Sequence, residues 1–346
     1  MLLWRIKQKL LSVVNALHYA KNKVRHKNNA SKHTVLMYPS FDGLTGGSLA
    51  FYSIAEMISE YQSVELFTHL GANRNKLVKP SINLIVKLNE NTNYDLIIVD
   101  DTTDAKTIKQ LRYTFQCPVI VSCHCLLHHC HGRKPSDLLA TLDASDHIHF
   151  VDTCQLDDFP EYKDKATVIP NRVEQVGKTR FQSNLGSVGN FNEKRKNLNG
   201  VLRTYERTNA EHLFIFNYNQ TVECSKPVTI NRQWISKKED IYNNIDVFVF
   251  LSTHETFGLV VAEALSAGIP CVISNIAAFQ HYKRCEAVKL VDHENVQDAA
   301  QKVNEILESK EKYNGVAKQF WEDNYSDTVI SKKWNRLVGS KVGEHV

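Results

Sequence analysis

Two glutamates, Glu255 and Glu263, stand with seven residues between them in the stretch Ser252 to Asn275, which reads STHETFGLVVAEALSAGIPCVISN. The stretch follows a β-branched and aromatic run, Val247 to Leu251, and opens into a segment with helical composition. A helix start presents N–H groups that lack intrahelical partners, together with the positive end of the macrodipole. A diphosphate can be held there without a Walker-type loop. Gly258 would let the backbone approach such a ligand closely. Glu263, one or two turns in, can accept two hydroxyl hydrogen bonds, as a ribose diol requires, and Glu255, ahead of the helix, can reach a sugar. The plainer reading makes Glu255 an N-terminal helix charge and Glu263 a solvated surface residue. Against it, Leu259, Val260, Val261, Ala262, Ala264 and Leu265 make the helix apolar almost all round, where an unpartnered carboxylate is costly.

The elements that position this pair read as a doubly wound α/β pattern. A chain of 346 residues exceeds what one core usually organises and points to two domains. Thr34 to Tyr38 reads as a buried strand, Pro39 to Ser48 as a loop with three glycines, and Leu49 to Ser59 as a helix. Val64 to Thr68, Leu96 to Asp100, Val119 to Ser122 and His147 to Val151 read as further strands of a first parallel sheet. The pattern restarts with Leu185 to Asn190, Leu213 to Phe216, Val247 to Leu251 and Cys271 to Ser274. Pro170, Asn171 and Gly177 punctuate the segment Ala166 to Val176 between the halves. Open parallel sheets bind ligands at the carboxyl ends of their strands, which places the expected site in a cleft that the two halves face.

The Glu255 to Glu263 stretch resembles the signature of the retaining GT-B glycosyltransferases of glycosyltransferase family 4, with Phe257, Gly258, Ala264, Gly268 and Pro270 at the family's positions. The resemblance implies two Rossmann-like domains. With residues 1–32 read from their own spacing and charge as a basic amphipathic helix, it makes 33–172 an acceptor domain, 173–325 a nucleotide-sugar donor domain, and 326–346 a segment packing back on the first domain. It also implies that Glu255 contacts the donor sugar and Glu263 its ribose, and that backbone amides of Thr256, Phe257, Gly258 and Leu259 bind the donor. Val168 to Glu174 resembles the family's passage into its second domain, with Arg172 where glycine is usual, and Val188-Gly189 then opens the donor domain. There the family places an arginine and, a few residues on, a lysine on the diphosphate. Here the arginine is Asn190, Lys196 matches the lysine with one extra loop residue, and Arg195 or Lys194 can supply the second charge. Gly46-Gly47 resembles the family's glycine loop, and His124 its histidine on the donor sugar; the alternative for His124 is a structural or metal-linked histidine.

The implied activity is retaining transfer of a hexose-type sugar from a nucleotide-diphosphate sugar to a saccharide or lipid-linked acceptor, as in lipopolysaccharide-like envelope synthesis. UDP-sugar is favoured over GDP-sugar as donor. Catalysis rests on His124, Glu255 and Lys196, with no metal and no further cofactor. Asp100-Asp101 falls in the acceptor half. The alternatives are a GT-B epimerase or hydrolase of nucleotide sugars, and a non-catalytic membrane- or glycan-binding relative. The formal charge of +4 does not suggest a nucleic-acid partner, and it is unevenly spread: residues 1–41 contain no Asp or Glu. Leu3, Ile6, Leu10, Val13, Leu17, Ala20 and Val24 recur at helical spacing beside Trp4, so residues 1–27 suit an anionic membrane surface, the protein's own surface, or, least well, a secretory signal. A cytoplasmic enzyme, peripheral on the inner membrane, is the expectation. Eight cysteines show no disulfide-framework spacing, and the contiguous cluster from Cys123 to His131 lacks the second ligand pair of a structural zinc site. Trp234, near Arg232, can stack on a base or simply pack.

Overall fold

The computed structural model describes residues 33–39, 46–68, 80–127, 129, 133–178, 182–232, 235 and 237–342. The helix expected over 1–32, Gly43 to Thr45 of the glycine loop, Trp234, and His128, Cys130 and His131 of the cysteine-histidine cluster lie outside them. The chain divides into two units, one taking in the described residues through Arg172 and those from Ile330, the other Val173–Val329.

In the first unit, β1 (Thr34–Tyr38), β2 (Ser63–Phe67), β3 (Asn83–Ile85), β4 (Leu96–Asp100), β5 (Val119–Cys123), β6 (His147–Phe150) and β7 (Ala166–Val168) form one parallel sheet in the order β3-β2-β1-β4-β5-β6-β7. Helices α1 (Gly46–Ser59), α2 (Ala105–Phe115), α3 (Pro135–Ala144) and α4 (Cys154–Asp158) intervene. A parallel sheet covered on both faces buries successive residues. The central strands β5 and β6 are accordingly buried throughout, β5 as a mostly apolar run and β6 with buried His147 and His149 alternating with Ile148 and Phe150. Arg172, at the end of this unit, reaches back to α1, where Nη2 pairs with Glu56 Oε2 at 2.8 Å with both side chains largely buried.

The second unit repeats the topology. Strands β8 (Asn184–Val188), β9 (His212–Phe216), β10 (Val228–Asn231), β11 (Val247–Phe250), β12 (Cys271–Ser274) and β13 (Val288–Val291) form a parallel sheet in the order β10-β9-β8-β11-β12-β13. Helices α5 (Leu198–Tyr205), α6 (Lys238–Tyr242), α7 (Leu259–Ser266), α8 (Val296–Glu308) and α9 (Lys310–Tyr325) connect and cover it. The unit's first residue is pinned to its last helix: Val173 O accepts from Trp321 Nε1 (2.9 Å), and Val173 N donates to Tyr325 O (3.0 Å). Helix α10 (Asp327–Val342) carries the chain back, and its Trp334, 1% exposed, packs edge-on against His149 of the first unit at 4.5 Å. No helix of the described residues is long and apolar enough to cross a membrane.

The two sheets are those expected, with four strands added. β3, β10 and β13 were not anticipated, and β7 occupies Ala166–Val168, read from sequence as part of the connecting segment. Each has three or four residues, and β3, β7, β10 and β13 are the sheet edges, where burial is incomplete and the apolar signal correspondingly thin.

Candidate functional site

Strand order reverses between β8 and β11, and the crevice beyond the carboxyl ends at such a reversal is where open parallel sheets bind ligands. The loops leaving these two strands are tied together there. Thr253 N donates to Arg195 O at 2.8 Å, bringing the loop after β11 against the loop after β8. The latter ends in a tight turn, Lys194–Lys196, followed by Asn197 in the left-handed region (φ 49°). Asn197 Oδ1 then caps α5 by accepting from Gly200 N at 3.1 Å.

This turn presents two cations to one carboxylate oxygen. Glu255 Oε1 accepts from Lys196 Nζ at 2.6 Å and from Arg195 Nη1 at 2.9 Å. Ser252 Oγ stands 2.8 Å from the same oxygen, sharing its proton with the Arg195 and His254 carbonyls. Side-chain exposure is 11% for Glu255, 11% for Lys196 and 20% for Arg195, so the pairing is shielded from water. Lys196 also lies over the Phe250 ring, 4.9 Å from its centroid. Burial pulls its ammonium pKa below the usual lysine range, with Glu255 opposing. Arg195 Nε further pairs with Glu193 Oε2 at 2.6 Å. Two carboxylates, Glu255 and Glu193, thus balance two cations.

Asn190, the residue at the usual arginine position, takes no part in this. It is exposed, its Nδ2 donates to Glu193 Oε1 (3.0 Å), and its Oδ1 accepts from Asn192 (3.1 Å). Lys194 is exposed as well. Of the two candidates for the second charge, the geometry therefore brings Arg195 to Lys196 and leaves Lys194 outside.

Helix α7 begins beside these groups in sequence, immediately after Gly258. Gly258 has φ 78°, and a β-carbon there would stand 2.6 Å from Phe279 Cε1. The fold itself therefore requires glycine here, through its left-handed backbone and its packing on an aromatic ring. The far end closes with Gly268 at φ 73°: Gly268 N donates to Leu265 O (2.9 Å) and Ile269 N to Ala264 O (2.9 Å), the Schellman pattern. Phe257 is buried, stacked on His281 and edge-on to Tyr325, so only the backbone of this residue is available to a ligand. Thr256 and Leu259 are partly exposed.

Glu263 is held by two residues that sequence reasoning did not single out. Its Oε2 accepts from Tyr242 Oη at 2.8 Å, and its Oε1 pairs with Lys238 Nζ at 2.9 Å. The carboxylate is 16% exposed, in keeping with the apolar helix around it. Tyr242 and Lys238 lie on α6, 21 and 25 residues upstream, a separation that carries no periodic signal. A carboxylate has about four lone-pair directions, so both oxygens retain acceptor capacity for ribose hydroxyls.

In the first unit, His124 lies just past β5, half-buried. Its backbone N donates to Asp101 Oδ2 (2.6 Å) and its Nε2 lies 3.0 Å from Ser122 Oγ, which in turn lies 2.9 Å from His149 Nδ1. His149 Nε2 donates to Ile169 O at 2.8 Å. Burial lowers the His124 pKa, with Asp101 and Asp100 opposing, and burial with the neighbouring His124 holds His149 at about 3. Gly46 and Gly47 form the first residues of α1, with Gly47 exposed. Among the described residues no group of three His, Cys, Asp or Glu side chains is placed to hold a metal ion.

Residues 228–320 match the family model for glycosyl transferases group 1, a span that includes Lys238, Tyr242, Glu255 and Glu263 and leaves out Arg195, Lys196 and His124. No curated protein matches the chain in sequence. Among solved structures, Anabaena HepE in complex with UDP and glucose is 13% identical with a TM-score of 0.71, covering 89% of this chain and all of its own. The sucrose-phosphate synthase of Thermosynechococcus elongatus is 14% identical with a TM-score of 0.68, covering 90% of this chain and all of its own. The lipopolysaccharide outer core galactosyltransferase WaaB is 16% identical with a TM-score of 0.67, covering 89% and 99%. At such identities the likeness is one of fold. The chain therefore has the GT-B fold, and over residues 228–320 of its second unit it carries the glycosyl transferases group 1 segment.

Proposed function

We propose that the protein is a glycosyltransferase that moves a hexose-type sugar, with retention of configuration, from a nucleotide-diphosphate sugar to a saccharide or lipid-linked acceptor. The observation that carries this reading is the convergence of Arg195 and Lys196 on Glu255 at the strand reversal of the unit that holds the group 1 segment. In the resting protein these cations are neutralised by carboxylates. A diphosphate arriving at the start of α7 competes with Glu255 for them, and transfers to itself a charge pair already assembled and partly desolvated. Charge growing on the leaving diphosphate oxygens during bond cleavage is met by Lys196, Arg195 and the N–H groups of Thr256 to Leu259. Glu255, released from one cation or both, turns to the sugar, and Glu263, steadied by Tyr242, receives the ribose. UDP is the favoured nucleotide, supported by the UDP-bound relative of the same fold. The basic residues 1–27 suit attachment to an anionic membrane surface, which fits an envelope glycan as product.

A second reading, a donor-binding relative without turnover, draws on Asn190, whose side chain is committed to its own loop where the family has an arginine. One experiment separates them. Wild-type protein is screened by thermal shift with UDP- and GDP-sugars, and the bound donor is then incubated with envelope saccharides while the anomeric proton of the product is followed by NMR. An α-product from an α-linked donor is expected. A donor that binds and is never turned over favours the second reading, and inversion would overturn the mechanism.

A further inference from the structure

His149 is 1% exposed, titratable, and unused by the reaction as described above. Its surroundings fix where its proton lies. The Ile169 carbonyl can only accept, so His149 Nε2 carries hydrogen. With its pKa held at about 3, chiefly by burial, the ring is neutral and Nδ1 is therefore an acceptor. Ser122 Oγ, wholly buried and 2.9 Å away, must donate its hydroxyl proton to that nitrogen. What remains toward His124 is the serine lone pair, so His124 Nε2, at 3.0 Å, must be the donor. The polarity of the whole chain follows from the Ile169 carbonyl and the neutrality of the buried His149 ring.

We propose that Ser122 and His149 are positioning residues that hold His124 with its proton on Nε2, so that His124 meets substrate through an unprotonated Nδ1 and selects a hydrogen-bond donor, a sugar hydroxyl, over a carboxylate. The selectivity rests on the reading of His124 as a substrate contact; the tautomer does not. Several features hold the chain rigid. Ser122 and His149 are direct partners in the register of β5 and β6. Trp334 packs edge-on to the His149 ring at 4.5 Å, and Asp101 fixes the His124 backbone. Burial disfavours protonation of His124, which would otherwise turn Nδ1 into a donor, although Asp101 and Asp100 oppose it. A ring so constrained discriminates because a carboxylate facing the Nδ1 lone pair has no proton to give and leaves both acceptors unsatisfied.

The test uses the full chain labelled with 15N-histidine, without ligand. In wild type, the His124 ring proton is expected on Nε2 and sheltered from exchange with water. In Ser122→Ala, a small change in a buried strand, that signal is expected to disappear through fast exchange. A His124 proton found on Nδ1 in wild type, or an Nε2 proton indifferent to Ser122→Ala, overturns the relay. A second arm compares UDP-glucose with UDP-glucuronate by calorimetry. Wild type is expected to favour the neutral sugar by about tenfold or more, and His124→Gln, whose amide N–H can donate, to narrow the gap. Equal binding of the two sugars by wild type overturns the selectivity. If neither binds wild type, the donor reading fails, and the NMR result still decides the relay.

Discussion

Lys196 keeps its charge at 11% side-chain exposure because Glu255 stands 2.6 Å away, and this dependence gives the pair opposite expected behaviour on substitution. Lys196→Met removes one of the two cations proposed to hold a diphosphate, and UDP affinity is expected to fall by at least about tenfold, the worth of one charge-assisted contact. Glu255→Gln removes an anion that competes for the same cations. It is expected to bind UDP at least as tightly as wild type in calorimetry while losing transfer, and to cost about 3 kcal/mol of stability through the broken pair. Parallel loss of UDP affinity in both variants would show that Glu255 supports the phosphate site directly. Both glutamates were legible in the sequence because their spacing falls on a helix start and its first turns. Arg195 and Lys196 were legible as a pair of cations after β8, but the choice of Arg195 over Lys194 needed the tight turn of residues 194–196. Tyr242, Lys238, Ser252, Ser122 and His149 escaped notice, since each acts by holding another side chain and none has a local signature. Ser122-x-His124 was the nearest to a signal, as residues two apart share one side of a strand, but their meeting with His149 required the order of β5 and β6.

At the scale of elements, the start of α7 and the pairing of β5 with β6 do the positioning. Gly258→Ala places a side chain at φ 78° and 2.6 Å from the Phe279 ring, so a loss of about 1–3 kcal/mol from the backbone alone is expected. Gly315→Ala is the control: it lies within α9 with open space at its β-carbon, and helix propensity predicts a gain of up to about 1 kcal/mol. Thermal denaturation of the two variants should move in opposite directions; a neutral Gly258→Ala would refute the packing argument. In β6, the His149 pKa is depressed from 6.5 to about 3 in the folded protein. The unfolded chain then binds more protons between these values, so stability is complete above pH 6.5 and declines as pH falls toward about 3, with a slope approaching about 1.4 kcal/mol per pH unit from this group. Urea unfolding of wild type and His149→Gln at a series of pH values checks the sign, the variant losing part of the slope. Central strands such as β4, β5 and β11 were legible as mostly apolar, buried runs, whereas the edge strands β3, β7, β10 and β13 are only partly buried and carry a thinner apolar signal.

The whole molecule repeats one topology, with strand order reversing between β1 and β4 in the first unit and between β8 and β11 in the second. This duplication was legible from the restart of strand and helix signals at Leu185, whereas the return of α10 to the first unit was implied only by the resemblance of the closing segment. The uneven charge belongs to this scale too. With no acidic residue among 1–41, the protein is expected to co-sediment with anionic vesicles at low salt and to release at high salt, and deletion of 1–27 is expected to abolish the association. Retention by vesicles after that deletion would move the contact elsewhere on the surface. We propose the reversal point of the second sheet as a nucleotide-diphosphate site built from Arg195, Lys196, the start of α7 and Glu263. Calorimetric titration of UDP into wild type, Lys196→Met and Glu263→Ala tests it most directly. Saturable binding by wild type that weakens at least about tenfold in each variant, with both still folded, is the predicted result. UDP binding that survives both substitutions unchanged would place the nucleotide elsewhere and contradict the account.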